Sequence, residues 1–333
     1  MTDPIERTTY VKSSIDGIEI FSRNWSVAEP KAMVIIIHGM SEHSGRYSEF
    51  ARTIARDLQV SVVATDHRAH GLTSCPRPDS DLASLGIFST NKPISTLDCL
   101  ETMATDIMDV VKSYDVNHQL PILIFGHSMG SLIARVLMRI APADLQDRIR
   151  GVVLSGVPTV PAVYERFPLL VLVNSAIMIG KGRDTLHHFI MDKFDNFVRK
   201  LKKDKTLPPN CFISSVRSEI EEFNADRLCG QTVDLHVWKS IRSTLIALMK
   251  PSKFFISWTG TQSKPSILFI SGKDDPVCQG GKTATSDAKG MATLGFKTDE
   301  ICIDSCLHEF FHEQPQIRQK GISETISWLR SKL

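Results

Sequence analysis

The pentapeptide Gly126-His127-Ser128-Met129-Gly130 has the pattern G-x-S-x-G, which indicates a serine nucleophile. A short apolar run at 122–125, typical of a buried parallel strand, precedes it, and apolar residues at helical spacing follow it over 131–140. A serine on such a strand-to-helix turn stands above the sheet at a helix N-terminus, where N–H groups favour a developing negative charge. The spacing therefore predicts Ser128 as a nucleophile.

A serine hydroxyl attacks efficiently only when an imidazole accepts its proton and a carboxylate orients that imidazole. Candidates for both follow predicted strands, because Asp274 and Asp275 come directly after one apolar run and His308 comes after another. Groups beyond the carboxyl ends of parallel strands converge on one crevice. We favour Asp275 over Asp274 because the following residue, Pro276, stiffens its loop.

His308 competes with His312, which lies one helical turn further along the chain. We favour His308 because it comes first after its strand, and we expect His312 to lie in a second layer or at the surface. Histidines in the other loops are interpreted as bracing residues: His38, His43, His67, His70 and His127. No metal-binding spacing is present, so no metal or cofactor is expected.

The elements that must position these side chains can be read from apolar periodicity. An Asp16-Gly17 turn predicts an antiparallel hairpin near the N-terminus. Apolar runs predict strands at 32–37, 60–65, 122–125, 151–155, 266–271 and 298–303. Helical patterns are found at 47–58, 97–114, 131–140 and 314–333. This alternation predicts an α/β fold with a mostly parallel central sheet flanked by helices.

The alternation is interrupted over residues 161–264, which carry helical patterns and breakers but no convincing strand. We interpret this segment as a helical cap inserted between a first core part, 1–160, and a second core part, 265–333. Leu170 and Leu172 lie in a strongly apolar stretch of the cap. That stretch either fills the core of the cap or presents a face that binds acyl chains and contacts a micelle or bilayer transiently, and we favour the second interpretation.

Composition excludes several other classes. A net charge of +2 is unsuited to nucleic-acid binding, and the basic run at 199–205 is expected to be a solvated helix face. No stretch reaches the roughly 20 apolar residues of a membrane span. Seven cysteines without a CxxC pair or a signal peptide indicate reduced thiols in an intracellular compartment.

Several motifs together resemble the monoacylglycerol lipase and lysophospholipase branch of the α/β-hydrolases, and the resemblance extends over nearly the whole chain. They are HGMSEHSGRY at 38–47, DHRAHG at 66–71, GHSMGS at 126–131, a cap segment at 218–229, GKDDPV at 272–277 and LHE at 307–309. The chain departs from the family at Ala69, where glycine is usual, in a long loop at 74–92 and in a long cap.

The resemblance implies a catalytic triad of Ser128, Asp275 and His308. It also implies an oxyanion hole formed by the backbone N–H groups of Met40 and Met129. Such donors typically contribute about 3 to 4 kcal/mol of transition-state stabilisation each.

We expect a serine esterase that cleaves a lipid monoester, a monoacylglycerol, into glycerol and fatty acid. A lysophospholipase, another carboxylesterase, a peptidase and a non-catalytic binding protein of the same fold are the alternatives. Glu42 and Arg46, four residues apart, are predicted to form an ion pair that braces their loop. Cys278 is predicted to be a solvent-reachable thiol on the rim of the crevice. Residues expected at the substrate-binding surface are Glu42, Arg46, Leu170, Leu172 and Cys278.

The last three residues, Ser331-Lys332-Leu333, match the address read by the peroxisomal import receptor. We therefore expect peroxisomal delivery. Without that address, we expect a cytoplasmic protein with possible peripheral membrane contact.

Overall fold

The computed structural model describes residues 3–77, 79–93, 96–115, 117, 119–158, 183–256, 258 and 264–333. Eight strands form one sheet in the order β1-β2-β4-β3-β5-β6-β7-β8. The strands are Ile5–Lys12 (β1), Glu19–Ser26 (β2), Met33–Ile37 (β3), Ser61–Thr65 (β4), Ile122–His127 (β5), Ile149–Ser155 (β6), Ser266–Gly272 (β7) and Lys297–Ile303 (β8). The β1–β2 and β2–β4 pairs are antiparallel, and the other five pairs are parallel. The predicted fold class is confirmed.

Helices lie on both sides of the sheet and between β6 and β7, and their lengths range from one turn to more than five turns. They are Ser48–Leu58 (α1), Gly71–Ser74 (α2), Cys99–Tyr114 (α3), Met129–Ile140 (α4), Ala143–Gln146 (α5), Arg183–Lys202 (α6), Arg217–Ala225 (α7), Leu235–Leu248 (α8), Pro251–Phe254 (α9), Lys282–Ala292 (α10) and Pro315–Arg330 (α11). Within the described residues, no helix is both long and apolar enough to cross a membrane.

The central strands are apolar on both faces because helices cover the sheet on both sides. In β5, Ile122 and Ile124 pack into one core with α3 and α4, whereas Leu123 and Phe125 pack into a second core with α1 and α11. Successive side chains of a strand point to opposite faces, so a continuous apolar run supplies both cores. This double burial fixes the positions of the strand ends.

Helix α10 was not among the predicted helices. Its buried residues are Ala284, Ala288 and Met291, which lie on one face at helical spacing. Two of the three are alanines, so the apolar periodicity in the sequence is weak.

Between β6 and β7, the described residues form helices α6 to α9, which we call the inserted helices (183–256). Helix α8 packs against α3 and α4 of the core. The domain boundary predicted at 160/161 lies outside the described residues. The division into core and cap therefore stays a prediction.

A buried ion cluster fastens the N-terminal hairpin to the core. The guanidinium of Arg68 donates to Asp16 Oδ2 at 2.7 Å and to Asp106 Oδ2 at 2.7 Å, and it also binds the hydroxyl of Ser13. The side chains of Arg68 and Asp16 are both fully buried. Removing one partner from a buried pair is costly because the remaining charge is left uncompensated.

We predict that Asp16→Ala lowers the free energy of unfolding by about 3 kcal/mol, measured by urea denaturation. The matched control is Asp79→Ala, because Asp79 pairs at 3.8 Å with Arg77 and both side chains are exposed. That change should cost less than about 0.5 kcal/mol. Equal losses in the two variants would contradict the role assigned to the buried cluster.

Candidate active site

Ser128 lies between β5 and α4 in a strained backbone conformation, with φ of 52° and ψ of −121°. Its N–H donates to the carbonyl of Ser155 at 2.8 Å. The flanking glycines are required by close backbone contacts, because a Cβ at Gly130 would lie 2.0 Å from the carbonyl oxygen of Ile37. A Cβ at Gly126 would lie 2.5 Å from the carbonyl oxygen of Gly130. The turn therefore has the geometry that the pentapeptide predicts.

The loops after β7 and β8 bring Asp275 and His308 together. His308 Nδ1 is 2.9 Å from Asp275 Oδ2, and the Asp275 side chain is fully buried. Asp274 instead lies 3.6 Å from the ammonium of Lys202, at the end of α6. The structure thus pairs His308 with Asp275, and it pairs Asp274 with the inserted helices.

His308 is held from several sides. Its backbone N–H donates to the carbonyl of Phe212 at 3.2 Å, and its ring lies 4.6 Å from the ring of His127. A Cβ at Gly156, which has φ of 57°, would lie 2.8 Å from His308 Cε1. The close packing leaves the imidazole little freedom to rotate.

The surroundings of the two neighbouring histidines set their pKa values in opposite directions. Burial disfavours the charged form of His308, but the carboxylates around it, Asp275 above all, together outweigh burial and raise the pKa of His308. Burial lowers the pKa of His127 well below its usual range. His308 is therefore the more basic of the pair.

Met40 and Met129 line the same cavity as Ser128, and Met129 follows Ser128 directly in the chain. Met129 is the first residue of α4, so its N–H is one of those that a helix leaves unpaired. Within the described part of the chain, neither N–H has a hydrogen-bond acceptor. Two unpaired donors on residues of the same cavity as the serine are consistent with the oxyanion hole predicted from the sequence, which stays a prediction.

Glu42 braces the loop that carries Met40. Its Oε1 accepts from the N–H of Gly39 at 2.6 Å and from the hydroxyl of Tyr47 at 2.8 Å, and its Oε2 accepts from Arg46 at 2.7 Å. The predicted ion pair between Glu42 and Arg46 is therefore present. Glu42 borders the cavity, but its carboxylate supports the loop.

Arg46 bridges two carboxylates rather than facing the substrate space. Its guanidinium donates two hydrogen bonds to Glu309, at 2.8 Å and 2.7 Å, in addition to the one to Glu42. His312 Nδ1 lies 2.9 Å from the same guanidinium, which matches the expected second-layer position of His312. Arg46 is not among the described residues that line the cavity, so its predicted place at the substrate-binding surface is corrected.

Glu309 is a site residue that sequence reasoning did not single out, although it lies in the LHE motif beside His308. Burial disfavours its charged form, but the Arg46 guanidinium together with His312 outweighs burial and holds the pKa of Glu309 well below its usual range. Its N–H donates to the carbonyl of Ile213 at 2.8 Å. Glu309 therefore ties the His308 loop to both the Arg46 loop and the inserted helices.

A cavity of about 420 Å³ opens beside Ser128 and His308. Its walls are mostly apolar and come from the core loops and the inserted helices. Helix α6 contributes Ile190 and Phe194, and α8 contributes Ile241 and Leu245. Leu170 and Leu172, predicted to bind the acyl chain, lie outside the described residues. A volume of this size and an apolar lining suit a small ligand or an acyl chain.

Cys278 is not the solvent-reachable thiol predicted from the sequence. It is fully buried, and its Sγ points to the carbonyl oxygens of Gly272 and Asp275. The turn after Asp275 folds inward, with the N–H of Val277 donating to Asp275 Oδ1 at 2.8 Å. Burial also raises the pKa of the Cys278 thiol, so the expectation of a rim cysteine is wrong.

Two clusters within the described residues have the side-chain types and proximity of a metal site: His43 with Asp226 and Cys229, and Glu42 with His127 and Glu309. In the second cluster, the Arg46 guanidinium already binds both carboxylates. In the first, His43 Nδ1 accepts from Gly45 N–H, which places the proton on Nε2 facing Asp226. Hydrogen bonds thus hold His43 and the carboxylates of both clusters, whereas His127 Nε2 in the second cluster has no hydrogen-bond partner among the described residues.

Comparison with known proteins identifies the family of the chain and solved structures that share its fold. The Hydrolase_4 family model, described as serine aminopeptidase, S33, matches residues 28–315. Monoglyceride lipase of Mus musculus is 32% identical over 324 residues, which cover 96% of this chain and 89% of that protein. The alignment with monoglyceride lipase of Homo sapiens, also 32% identical, covers 36% of this chain and 34% of that protein, about a third of its length. A carboxyl esterase from Bacillus coagulans, solved in complex with glycerol, shares the fold with a TM-score of 0.78 and 22% identity over 98% of both chains.

The raised pKa of His308 predicts the pH dependence of Ser128 reactivity. His308 accepts a proton only when neutral, so labelling of Ser128 by a fluorophosphonate should accelerate with rising pH through a midpoint above about 6.5, the usual histidine value. Asp275→Asn removes the carboxylate that raises this pKa. Its labelling should be slower and its midpoint should move down, as measured by intact mass against time. An unchanged midpoint would contradict the pairing of His308 with Asp275.

Proposed function

The chain belongs to the serine aminopeptidase S33 family of α/β-hydrolases, in the branch that contains monoglyceride lipases, and on that premise we propose that it is a serine esterase that cleaves monoacylglycerols to glycerol and fatty acid. The observation that carries the proposal is the hydrogen-bonded His308–Asp275 pair, because His308 and Ser128 line the same mostly apolar cavity. A relative of similar length named monoglyceride lipase supports the choice of substrate.

In the proposed mechanism, Ser128 attacks the ester carbonyl while His308 accepts its proton. The negative charge on the carbonyl oxygen is received by the N–H groups of Met40 and Met129. The imidazolium, stabilised by Asp275, then protonates the departing glycerol oxygen, which leaves an acyl-enzyme on Ser128. A water molecule deprotonated by His308 attacks the acyl-enzyme, and the serine regains its proton as the fatty acid leaves.

The electrostatics of the cavity favour an ester over the peptide substrate that the family description suggests. An aminopeptidase has to bind the α-ammonium of its substrate, which calls for a free carboxylate. Among the described residues that line the cavity, the only acids are Glu42 and Glu309, and Arg46 binds both. The apolar walls, to which Leu170 and Leu172 are proposed to add, instead suit an acyl chain.

Variants of the proposed triad test the mechanism. Ser128→Ala should abolish hydrolysis of a monoacylglycerol, a loss of about 10⁶-fold in kcat, while the thermal unfolding temperature stays close to wild type. Asp275→Asn should reduce kcat by about 10⁴-fold because the imidazole loses its orientation. Asp274→Asn is the matched control, with less than about threefold change expected, since it breaks only a partly exposed ion pair. A larger loss from the Asp274 variant would overturn the assignment of the acid.

Peroxisomal delivery through Ser331-Lys332-Leu333 is a further part of the proposal. Helix α11 ends at Arg330, and Leu333 is 47% exposed, so a receptor can reach the tripeptide without unfolding the helix. The address functions only if Leu333 carries a free carboxylate.

We predict that a fluorescent protein fused to the N-terminus localises to peroxisomes in a cell that has them. Deletion of Leu333 should leave the fusion in the cytosol, which can be scored by microscopy against a peroxisomal marker. Diffuse fluorescence from the intact fusion would contradict the prediction.

A further inference from the structure

One face of helix α8 forms part of the cavity wall. The residues on this face recur every three or four positions, and all but one have uncharged side chains. They are Trp238, Ile241, Arg242, Leu245 and Ile246. Arg242 is half-buried and is the cation in the middle of this stripe. A guanidinium in an apolar wall is poorly hydrated, so it gains from any anion that reaches it.

Other buried arginines of the chain have carboxylate partners. Arg46 binds Glu42 and Glu309, and Arg68 binds Asp16 and Asp106. Arg242 differs from them, because within residues 183–256 and the other described parts of the chain no ion pair or hydrogen bond engages its guanidinium.

No carboxylate on the described cavity wall is left to neutralise Arg242. The two acids among the lining residues, Glu42 and Glu309, are both bonded to Arg46. A second cation, Lys193 of α6, also lines the cavity, with its ammonium 4.2 Å from the ring centroid of Phe189. Arg242 is thus a cation of the cavity wall that no described carboxylate binds.

We propose that Arg242 binds an anionic group, a carboxylate or phosphate, carried by the substrate at an end remote from the scissile ester. This inference rests on the proposed function and extends it from neutral monoacylglycerols to acyl esters that bear a negative charge, which Arg242 would favour. The guanidinium can donate two parallel hydrogen bonds to either anion, and the apolar surroundings strengthen that contact. Arg242 would then determine specificity, since Ser128 and His308 act on charged and neutral esters alike.

Binding of short amphiphiles to the Ser128→Ala protein tests the inference without any turnover. We expect octyl phosphate and octanoate to bind more tightly than octanol, as measured by calorimetry below their micelle concentrations. Arg242→Met should weaken binding of the two anions by about 10- to 100-fold and leave octanol unchanged. Arg242→Lys should retain part of the preference. The matched control is Lys239→Met on the exposed face of the same helix, which should change none of the affinities.

Kinetics with the active protein then identify which end of the substrate carries the anion. A lysophosphatidate places a phosphate on the alcohol part, and the glycerol monoester of a dicarboxylic acid places a carboxylate on the acyl part. Arg242→Met should reduce kcat/KM for one of them by about 10- to 100-fold relative to a neutral monoacylglycerol of equal chain length. An equal loss on charged and neutral esters, or no loss on either, would overturn the inference.

The two proposals fail in different ways. Arg242-dependent anion binding by a protein that hydrolyses no ester would overturn the esterase function alone. Hydrolysis of neutral monoacylglycerol, with anion binding that does not depend on Arg242, would overturn this inference alone.

Discussion

Ser128 adopts a backbone conformation of a kind that costs a non-glycine residue about 1–3 kcal/mol, and its neighbours keep it there. The N–H of Ser128 is bonded to β6, and the glycine at 130 allows α4 to start against the backbone of β3. Both strands are fixed in turn by the two cores that cover the sheet. The reactive position of one hydroxyl therefore depends on packing across the whole sheet.

The same dependence applies to the groups around the serine, which come from loops far apart in the chain. The Arg46 guanidinium is the link between them, because it binds the carboxylate that holds Gly39 and the carboxylate next to His308. It also lies 4.8 Å from the ring of Phe223 on an inserted helix. One buried cation thus sets the relative positions of the loop that carries Met40, the loop that carries His308 and the wall of the cavity.

Local signals were sufficient to predict the strands, the turn at Ser128 and the choice of Asp275 over Asp274, because each depends on a few consecutive residues. Contacts between segments that are distant in the chain could not be predicted from such local signals. Arg46 and Glu309 are 263 residues apart, and the sequence around either residue does not indicate that the two are in contact. Cys278 was misplaced for a related reason, since its distance along the chain from Asp275 did not reveal that the turn folds inward.

The hydrogen bonds from His308 and Glu309 to the carbonyls of Phe212 and Ile213 have a consequence for how this architecture can be recombined. Through these bonds, the segment 183–256 helps to hold the loop that carries His308 in place. A chimera in which a foreign insertion replaces residues 183–256 would leave those two N–H groups unpaired, at about 1–3 kcal/mol each when they are buried. The insertion is therefore not a freely exchangeable module, and a new cavity wall has to be acquired together with its own support for the histidine loop.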